Sequence, residues 1–344
     1  MAITEQQLKD TIKNGGANLY VLYGAENYLT EQYARMVAKY TVEEGFDAFN
    51  LQKFDGQNVT VEQLEDAVEA LPMMSDRKCV LVRDMDLNGD NGDRLLRLIE
   101  QVPDSCVLVF WQMTVQPNMK RNAWKNFLDQ AKKSGVVIKF DRRTVPDAAK
   151  MLVSGAKRRG CQLDFADAKY LVEQVGNDLH LLVCELDKLC ALTGAGAVTR
   201  KRIDTACAKN LEARAFDLSK AILRRRPDEA YDLLHQLKVQ RAEPVVVLGA
   251  LSSAYGDLYR AKIAGAGGVS PASLGADFKS YKGKEWKLNN AARDAARLGV
   301  PLLRDSLEIL AEADRALKGR SGDQWVYLEQ IVARLTCRAR EDLG

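Results

Sequence analysis

The first 140 residues alternate short, almost uninterrupted apolar runs with segments of helical periodicity. The apolar runs, rich in β-branched residues, lie at 19–22, 80–82, 106–110 and 136–138. Between two of them, Val61, Leu64, Val68 and Leu71 recur at helical spacing. Strands that are apolar on both faces and separated by helices are typical of a parallel sheet covered on both sides. The pattern therefore predicts an α/β domain over residues 1–140.

Beyond residue 140 the strand signals stop, and two helical regions are predicted. From 141 to 210 the apolar periods are short, and Gly160, Gly176 and Gly194 stand just past their ends, where glycine commonly terminates a helix. From 211 to 344 the periods lengthen, and Pro227 and Pro244 stand where proline favours a helix start. These patterns predict a small helical domain followed by an all-helical bundle suited to packing against other proteins.

Charge and hydropathy exclude several classes of protein. The 50 Lys and Arg residues against 47 Asp and Glu leave a net charge of +3, too balanced for a protein that binds nucleic acid by overall charge. The longest apolar run, residues 245–251, is far shorter than a membrane span, and the first residues do not resemble a signal peptide. A cytoplasmic protein is expected.

No metal site or disulfide framework is expected. The seven cysteines are scattered, with no C-x-x-C pair, and neither His180 nor His235 stands at metal-ligand spacing from a cysteine. Reduced structural thiols are the simplest interpretation. With only two histidines, a catalytic site built on an imidazole base is also disfavoured.

The turn after the first predicted strand occupies the position of a phosphate-binding loop but lacks its residues. That loop, G-x-x-x-x-G-K-[ST], needs a second glycine, a lysine for the β- and γ-phosphates and a hydroxyl for Mg²⁺. In register from Gly24, Leu29 replaces the second glycine, Thr30 the lysine and Glu31 the hydroxyl residue. Glu26 and Glu31 would also repel a triphosphate. The turn is therefore predicted not to bind ATP.

Asp84 ends the predicted strand at 80–82, as a magnesium-binding carboxylate would. The next residue is Met85, so the acidic pair that would hold and activate a metal-bound water is absent. A polar residue where a strand leaves the core is the favoured interpretation. The first domain thus has the layout of an ATPase without its chemistry.

Short pieces of sequence follow one another in a defined order along nearly the whole chain. They are the strand, Gly-x-Glu turn and helix at 19–29, Phe49-Asn50, Phe54-Asp55-Gly56, residues 70–77 leading into the strand at 80–82, Gly-Asn-Asp-Leu at 176–179, Glu-Leu-Asp-Lys-Leu at 185–189, Phe216-Asp217-Leu218 with Ala221-Ile222, and Leu317-Lys318. Each piece is unspecific by itself, but in their order and spacing they resemble the delta subunit of the bacterial DNA polymerase III clamp loader.

The resemblance implies an AAA+-like domain at 1–140 without a functional phosphate loop, a small helical lid domain at 141–210 and a helical collar domain at 211–344. It implies a component of DNA polymerase III holoenzyme with no catalytic residue and no cofactor of its own. The implied function is to bind the ring-shaped sliding clamp (beta subunit) and to open, or hold open, one interface. The implied partners are the clamp, the gamma/tau and delta prime subunits through the collar, and primed DNA within the assembled complex.

The family's clamp contact is a short hydrophobic wedge, which by resemblance falls on Met73 and Met74 with Leu71 beside them. The family frequently has phenylalanine or leucine there, but flexible thioethers are also common on binding surfaces. The sequence itself places both methionines just after the helix breaker Pro72 and before a polar turn. Exposed apolar clusters mark partner sites, whereas the alternative is that the two methionines fill gaps in the core.

Basic clusters lie at 120–125, 132–133, 142–143 and 157–159, and an aromatic and basic stretch lies at 281–286. The clusters would suit a groove that contacts phosphates, but charge runs are more often solvated faces, and the stretch at 281–286 is more simply an ordinary surface. Two other functions stay open. An ATPase with a divergent phosphate loop would bind ATP, and a purely structural adaptor would bind neither ATP nor the clamp.

Overall fold

A computed structural model describes residues 3–87, 92–274, 278, 281, 285–319 and 323–341. The chain forms two compact units, Met1–Arg143 and Thr144–Gly344. The domain boundaries predicted at 140 and 210 stay predictions, because the chain divides into compact units only once, between Arg143 and Thr144. No helix among the described residues is long and apolar enough to cross a membrane.

A five-stranded parallel sheet forms the centre of the first unit. Its strands are β1 (Leu19–Gly24), β2 (Leu51–Asp55), β3 (Lys78–Arg83), β4 (Cys106–Trp111) and β5 (Val136–Phe140). Every pairing is parallel, and the order across the sheet is β2-β3-β4-β1-β5. This confirms the predicted parallel sheet. The partly exposed edge strand β2 was not predicted.

Helices cover both faces of the sheet. Those of the first unit are α1 (Glu5–Lys13), α2 (Asn27–Thr41), α3 (Asp47–Asn50), α4 (Val61–Glu69), α5 (Gly92–Glu100) and α6 (Asn122–Ser134). On one face Val80 and Leu108 join the core with side chains of α4, α5 and α6. Alternate residues such as Leu81 and Val109 point to the other face and are also buried. Both faces therefore exclude water, as the apolar runs predicted.

The two ends of the strands carry different loops. Because all five strands run in one direction, residues that precede them meet at the amino edge of the sheet and residues that follow them meet at the carboxyl edge. The loop 70–77 lies at the amino edge, before β3, together with Asn50, which precedes β2. The turn at Gly24 and the residue Asp84 lie at the carboxyl edge. The expected wedge and the phosphate-loop position are thus at opposite edges.

The second unit is mainly helical. Its helices are α7 (Val145–Arg158), α8 (Phe165–Val175), α9 (Leu179–Thr193), α10 (Arg200–Ala206), α11 (Leu211–Leu223), α12 (Pro227–Val239), α13 (Pro244–Ala266), α14 (Glu285–Ala295), α15 (Val300–Gly319) and α16 (Gln324–Glu341). Two short strands that the sequence did not predict, β6 (Gln162–Leu163) and β7 (Ala197–Val198), pair in parallel. Two-residue strands carry too little periodicity to be recognised.

From α11 onward one apolar core joins the helices. Its members include Leu251, Tyr255 and Leu258 of α13, which are fully buried. Pro227 and Pro244 are the first residues of α12 and α13, where a missing N–H costs no helical hydrogen bond. The described residues from α11 onward are thus mostly helical, as predicted.

Candidate protein-binding site

Three large apolar side chains are exposed in the loop that follows α4. Leu71 is 81% exposed, Met73 55% and Met74 83%. Helix α4 ends at Glu69. Pro72 follows in the loop, and because proline has no backbone N–H it cannot continue the helical hydrogen bonds. The alternative that the two methionines fill gaps in the core is therefore wrong. We call residues 70–77 the apolar loop.

The tip of the apolar loop has a defined backbone shape. Met74 has φ 53°, in the left-handed region that costs a residue with a Cβ about 1–2 kcal/mol. The Met73 N–H donates to Oδ1 of Asn50 at 2.8 Å, and Nδ2 of Asn50 donates to the Met73 carbonyl at 2.8 Å. Asn50 is itself buried. One amide side chain thus satisfies both backbone groups of Met73 and fixes the tip.

The base of the apolar loop is tied to other loops of the amino edge. Nε of Arg77 donates to the Asp104 carbonyl at 3.1 Å, and Nη1 donates to the Gly15 carbonyl at 3.3 Å. Its Nη2 also donates to Oδ1 of Asn18. The planar guanidinium therefore joins the residue before β3 to the loops that precede β1 and β4.

Lys78, the next residue, fixes the end of α4. It is buried, and its Nζ donates to the Ala67 carbonyl at 2.6 Å. Burial lowers the pKa of this ammonium group. The last carbonyls of a helix lack helical partners and carry partial negative charge, so a cation is favourable there. The helix end and the start of β3 are thereby held together on either side of the apolar loop.

A further exposed aromatic residue stands next to Asn50 in the chain, and the sequence did not identify it as a site residue. Phe49, on the four-residue helix α3, is 57% exposed. It directly precedes Asn50, whose side chain holds Met73. The only sequence signal was the Phe49-Asn50 pair within the family resemblance, because an isolated aromatic residue in a short helix has no distinctive periodicity.

At the opposite edge, the backbone amides of the phosphate-loop position are already engaged. The Gly24 N–H donates to Oε1 of Gln116 at 3.1 Å, and the Glu26 N–H donates to the Phe140 carbonyl at 3.0 Å. A Cβ at Gly24, which has φ 132°, would lie 2.2 Å from the same carbonyl oxygen. Leu29, which replaces the second glycine, is buried. The turn is therefore packed against the end of β5 and the loop that follows β4.

Asp84 holds the loop that follows β4. Its Oδ1 accepts hydrogen bonds from the backbone amides of Met113 at 2.7 Å, Thr114 at 2.7 Å and Val115 at 3.1 Å. Burial opposes ionisation, but these amide hydrogen bonds prevail and hold the pKa of the carboxyl below its ordinary value. Asp84 also has φ 55°, a conformation that Asp tolerates better than most residues. The geometry gives this carboxylate a structural role.

Trp124, within the basic cluster at 120–125, belongs to the core and not to an exposed surface. This indole is buried and packs edge-on against Phe127. Lys132 pairs with Asp129 at 2.9 Å, as expected of a solvated helix face. In the stretch at 281–286, residues 282–284 lie outside the described residues, as does the side chain of residue 286. No metal-binding group of three or more His, Cys, Asp or Glu occurs in the part of the chain that the structure describes.

The chain is similar to one protein family in both units. Residues 20–142 match the model for DNA polymerase III, delta subunit, and residues 212–335 match that for the DNA polymerase III delta subunit, C-terminal domain. The DNA polymerase III subunit delta of Bacillus subtilis (strain 168) is 24% identical over 340 residues, which are 95% of this chain and 96% of that protein. The Escherichia coli (strain K12) protein of the same name is 22% identical over 342 residues, which are 98% of this chain and 97% of that protein.

A solved structure extends the similarity to the fold. The Bacillus subtilis DNA clamp loader delta protein superimposes with a TM-score of 0.59 at 22% sequence identity. The superposition covers 96% of this chain and 99% of that one. The superposition therefore also includes most of the chain outside the two matched segments.

Proposed function

Because this chain belongs to the family of DNA polymerase III delta subunits, components of the clamp loader, we propose that it binds the sliding clamp through Leu71, Met73 and Met74 and opens, or holds open, one interface of that ring. One observation carries the proposal: three large apolar side chains are exposed on a loop whose backbone is held at its tip and its base. Exposed apolar clusters on soluble proteins commonly mark partner sites.

The energetic argument starts from the cost of exposing these side chains. Fully burying one Leu or Met side chain gives roughly 1.5–3 kcal/mol, so three provide several kcal/mol at an interface. Because the backbone of the apolar loop is already held by hydrogen bonds at its tip and base, less of that free energy is lost in ordering it on binding. A compact group of apolar anchors on an ordered loop fits the pattern of binding hot spots.

Opening an interface of the clamp requires more than tight binding to the clamp. A ligand shifts a conformational equilibrium only by the difference in its affinity for the two states. We therefore propose that the apolar loop binds the clamp more tightly when its interface is open than when it is closed. On this account the binding free energy performs mechanical work on the ring, and this subunit itself hydrolyses no nucleotide.

Residues at the carboxyl edge of the sheet support the part of the proposal that assigns no ATP hydrolysis to this chain. Thr30 and Glu31 replace the lysine and hydroxyl residue of a phosphate loop, and the Gly24 and Glu26 amides already have partners within the chain. We expect no saturable ATP binding by the isolated chain at concentrations up to the millimolar range. Isothermal titration with MgATP measures this, and a saturable signal of one ATP per chain would instead support the ATPase alternative.

Because the backbone of Met74 is left-handed, replacing this residue by glycine distinguishes a binding role of its side chain from a structural one. Glycine adopts this φ without strain, so Met74→Gly is expected to leave the chain as stable as before or up to about 1 kcal/mol more stable. The same change removes the most exposed of the three large apolar side chains and is expected to weaken clamp binding about tenfold or more. Thermal unfolding and clamp titration measure the two effects. A loss of stability would contradict the assignment of this side chain to binding.

The second unit is proposed to join this subunit to the rest of the loader. By family membership, the helices from α11 onward would pack against gamma/tau and delta prime subunits, and primed DNA would be contacted within the assembled complex. Exposed apolar residues on these helices, among them Val239, Val246 and Val326, support a packing role. The experiment that tests the central proposal is titration of the full chain against the sliding clamp from the same organism, with and without ATP.

A further inference from the structure

Two segments far apart in the sequence meet at the apolar loop. Asn50 ends helix α3, and its buried side chain forms both hydrogen bonds to the backbone of Met73, a residue 23 positions later. Phe49, the residue before Asn50, is 57% exposed although its ring is large and apolar. The two hydrogen bonds therefore join the loop tip to helix α3, which also carries the exposed ring of Phe49.

Asn50 is suited to this task by its chemistry. A carboxamide carries one acceptor and one donor group, so it pairs with the N–H and the C=O of a single residue as a neighbouring strand would. A buried amide without partners would be costly, and here each polar atom that faces Met73 is satisfied. Alanine would leave Met73 without either bond. Aspartate would keep only the acceptor.

We propose that the clamp-binding surface consists of two segments, in which Phe49 is a further contact residue and Asn50 is the positioning residue that holds both segments in register. This inference rests on the proposed function, because it assigns its partner to the same surface. Continuity supports it: Phe49 lies one residue from the hydrogen bonds that hold Met73, and all four side chains of the combined surface, Phe49, Leu71, Met73 and Met74, are exposed.

The contact role of Phe49 predicts a loss of affinity without a loss of folding. Aromatic residues are enriched among binding hot spots, so Phe49→Ala is expected to weaken clamp binding at least about fivefold. The matched control is Phe165→Ala, which removes an exposed phenylalanine, 42% accessible, from the second unit. We expect the control to bind as the unchanged chain does. Equal affinity of Phe49→Ala and the unchanged chain would remove Phe49 from the surface.

The positioning role of Asn50 predicts a change that a general structural role would not produce. Asn50→Ala is expected to weaken clamp binding about tenfold and to speed hydrogen exchange at the Met73 amide in the free protein. It should also reduce the effect of Met74→Ala on affinity, because a disordered tip presents Met74 less often to the clamp. Additive effects of Asn50→Ala and Met74→Ala would contradict the positioning role.

Asn50→Asp is the second variant, in case alanine at this buried position prevents folding. It keeps an acceptor for the Met73 amide and loses the donor to the Met73 carbonyl, so binding is expected to weaken at least about threefold. Affinity equal to that of the unchanged chain would overturn the positioning role.

The same titrations distinguish this inference from the proposed function. If the unchanged chain does not bind the clamp, or if Met73→Asp with Met74→Asp binds normally, the proposed function and this inference fail together. If the unchanged chain binds and the double variant does not, but Phe49→Ala and the Asn50 variants bind normally, this inference alone fails. Loss of affinity in all of these variants, with a normal Phe165→Ala control, supports both.

Discussion

Replacing Met73 and Met74 together by aspartate is expected to weaken clamp binding at least about 100-fold while leaving the stability of the chain within roughly 0.5 kcal/mol. Both side chains are more than half exposed, so the fold loses little packing when they change. Aspartate also tolerates the left-handed backbone at position 74 better than most residues do. In the complex, two carboxylates would have to enter an apolar contact without partners, which is strongly unfavourable.

The matched control for this prediction is Met119→Asp. Met119 is 50% exposed, belongs to the same unit, and lies in the loop between β4 and α6 at the carboxyl edge of the sheet. It should reproduce any general effect of placing a charge on the surface of this unit without affecting the apolar loop. Titration against immobilised clamp measures affinity, and thermal unfolding measures stability. An unfolded double variant, or one that binds as tightly as the control, would contradict the proposal.

The largest stability effect is expected at Asp84. Asp84→Ala removes the acceptor of three backbone hydrogen bonds and places alanine at φ 55°, so the free energy of unfolding should fall by about 3 kcal/mol or more. Asp84→Asn keeps a carbonyl oxygen and tolerates the left-handed backbone, so its loss should be about 1 kcal/mol. Urea unfolding followed by tryptophan fluorescence measures both. Equal and small losses would show that the loop after β4 does not depend on this carboxylate.

The Asp84 contribution should also depend on pH. The folded-state pKa is lower than the ordinary value of 3.8, so the unfolded chain binds more protons in this range. The stabilisation from this group is therefore fully present above about pH 4 to 5 and is lost as the pH falls through the folded-state pKa. The difference in stability between the unchanged chain and Asp84→Ala should shrink in acid. A difference independent of pH would contradict the role of the ionised form.

Much of the architecture could be predicted because both faces of the sheet are buried. The central strands β1, β3 and β4 contain almost only apolar residues, which made them visible as runs. The edge strand β5 was visible through its apolar run at 136–138, although Lys139 in it is exposed. Strand β2 lies at the edge, with Lys53 exposed and its other residues only half-buried. Its mixed composition gave no continuous run, and for that reason it was missed. The prolines and glycines that punctuate the helices of the second unit lie where their conformational preferences require.

The candidate site could be predicted only in part. The resemblance and Pro72 indicated the segment with Leu71 and the two methionines, but the sequence alone did not show whether the methionines were exposed. Exposure depends on where the loop lies after α4 ends, and that is fixed by Asn50 and Arg77 through tertiary hydrogen bonds. Partners separated by more than 20 residues leave no periodic signal. Sequence patterns therefore could not reveal that Asn50 holds the apolar loop.

The departure from the phosphate-loop motif, in contrast, could be read directly from the sequence because that motif specifies residue types at fixed spacing. Leu29, Thr30 and Glu31 occupy its three essential positions, and no fold could make these side chains serve as a glycine, a lysine and a magnesium-binding hydroxyl residue. The structure adds that the neighbouring amides of Gly24 and Glu26 are bonded within the chain.

The central claim is that this chain prefers the open clamp to the closed one. The most direct test compares its affinity for the closed ring with its affinity for a clamp whose interface has been disrupted by substitution, so that the contact site is present without the closed interface. Our account predicts tighter binding to the disrupted clamp, with both interactions lost in the Met73→Asp, Met74→Asp variant. Equal affinity for the two forms would contradict it, because a ligand that binds both states equally cannot open the ring.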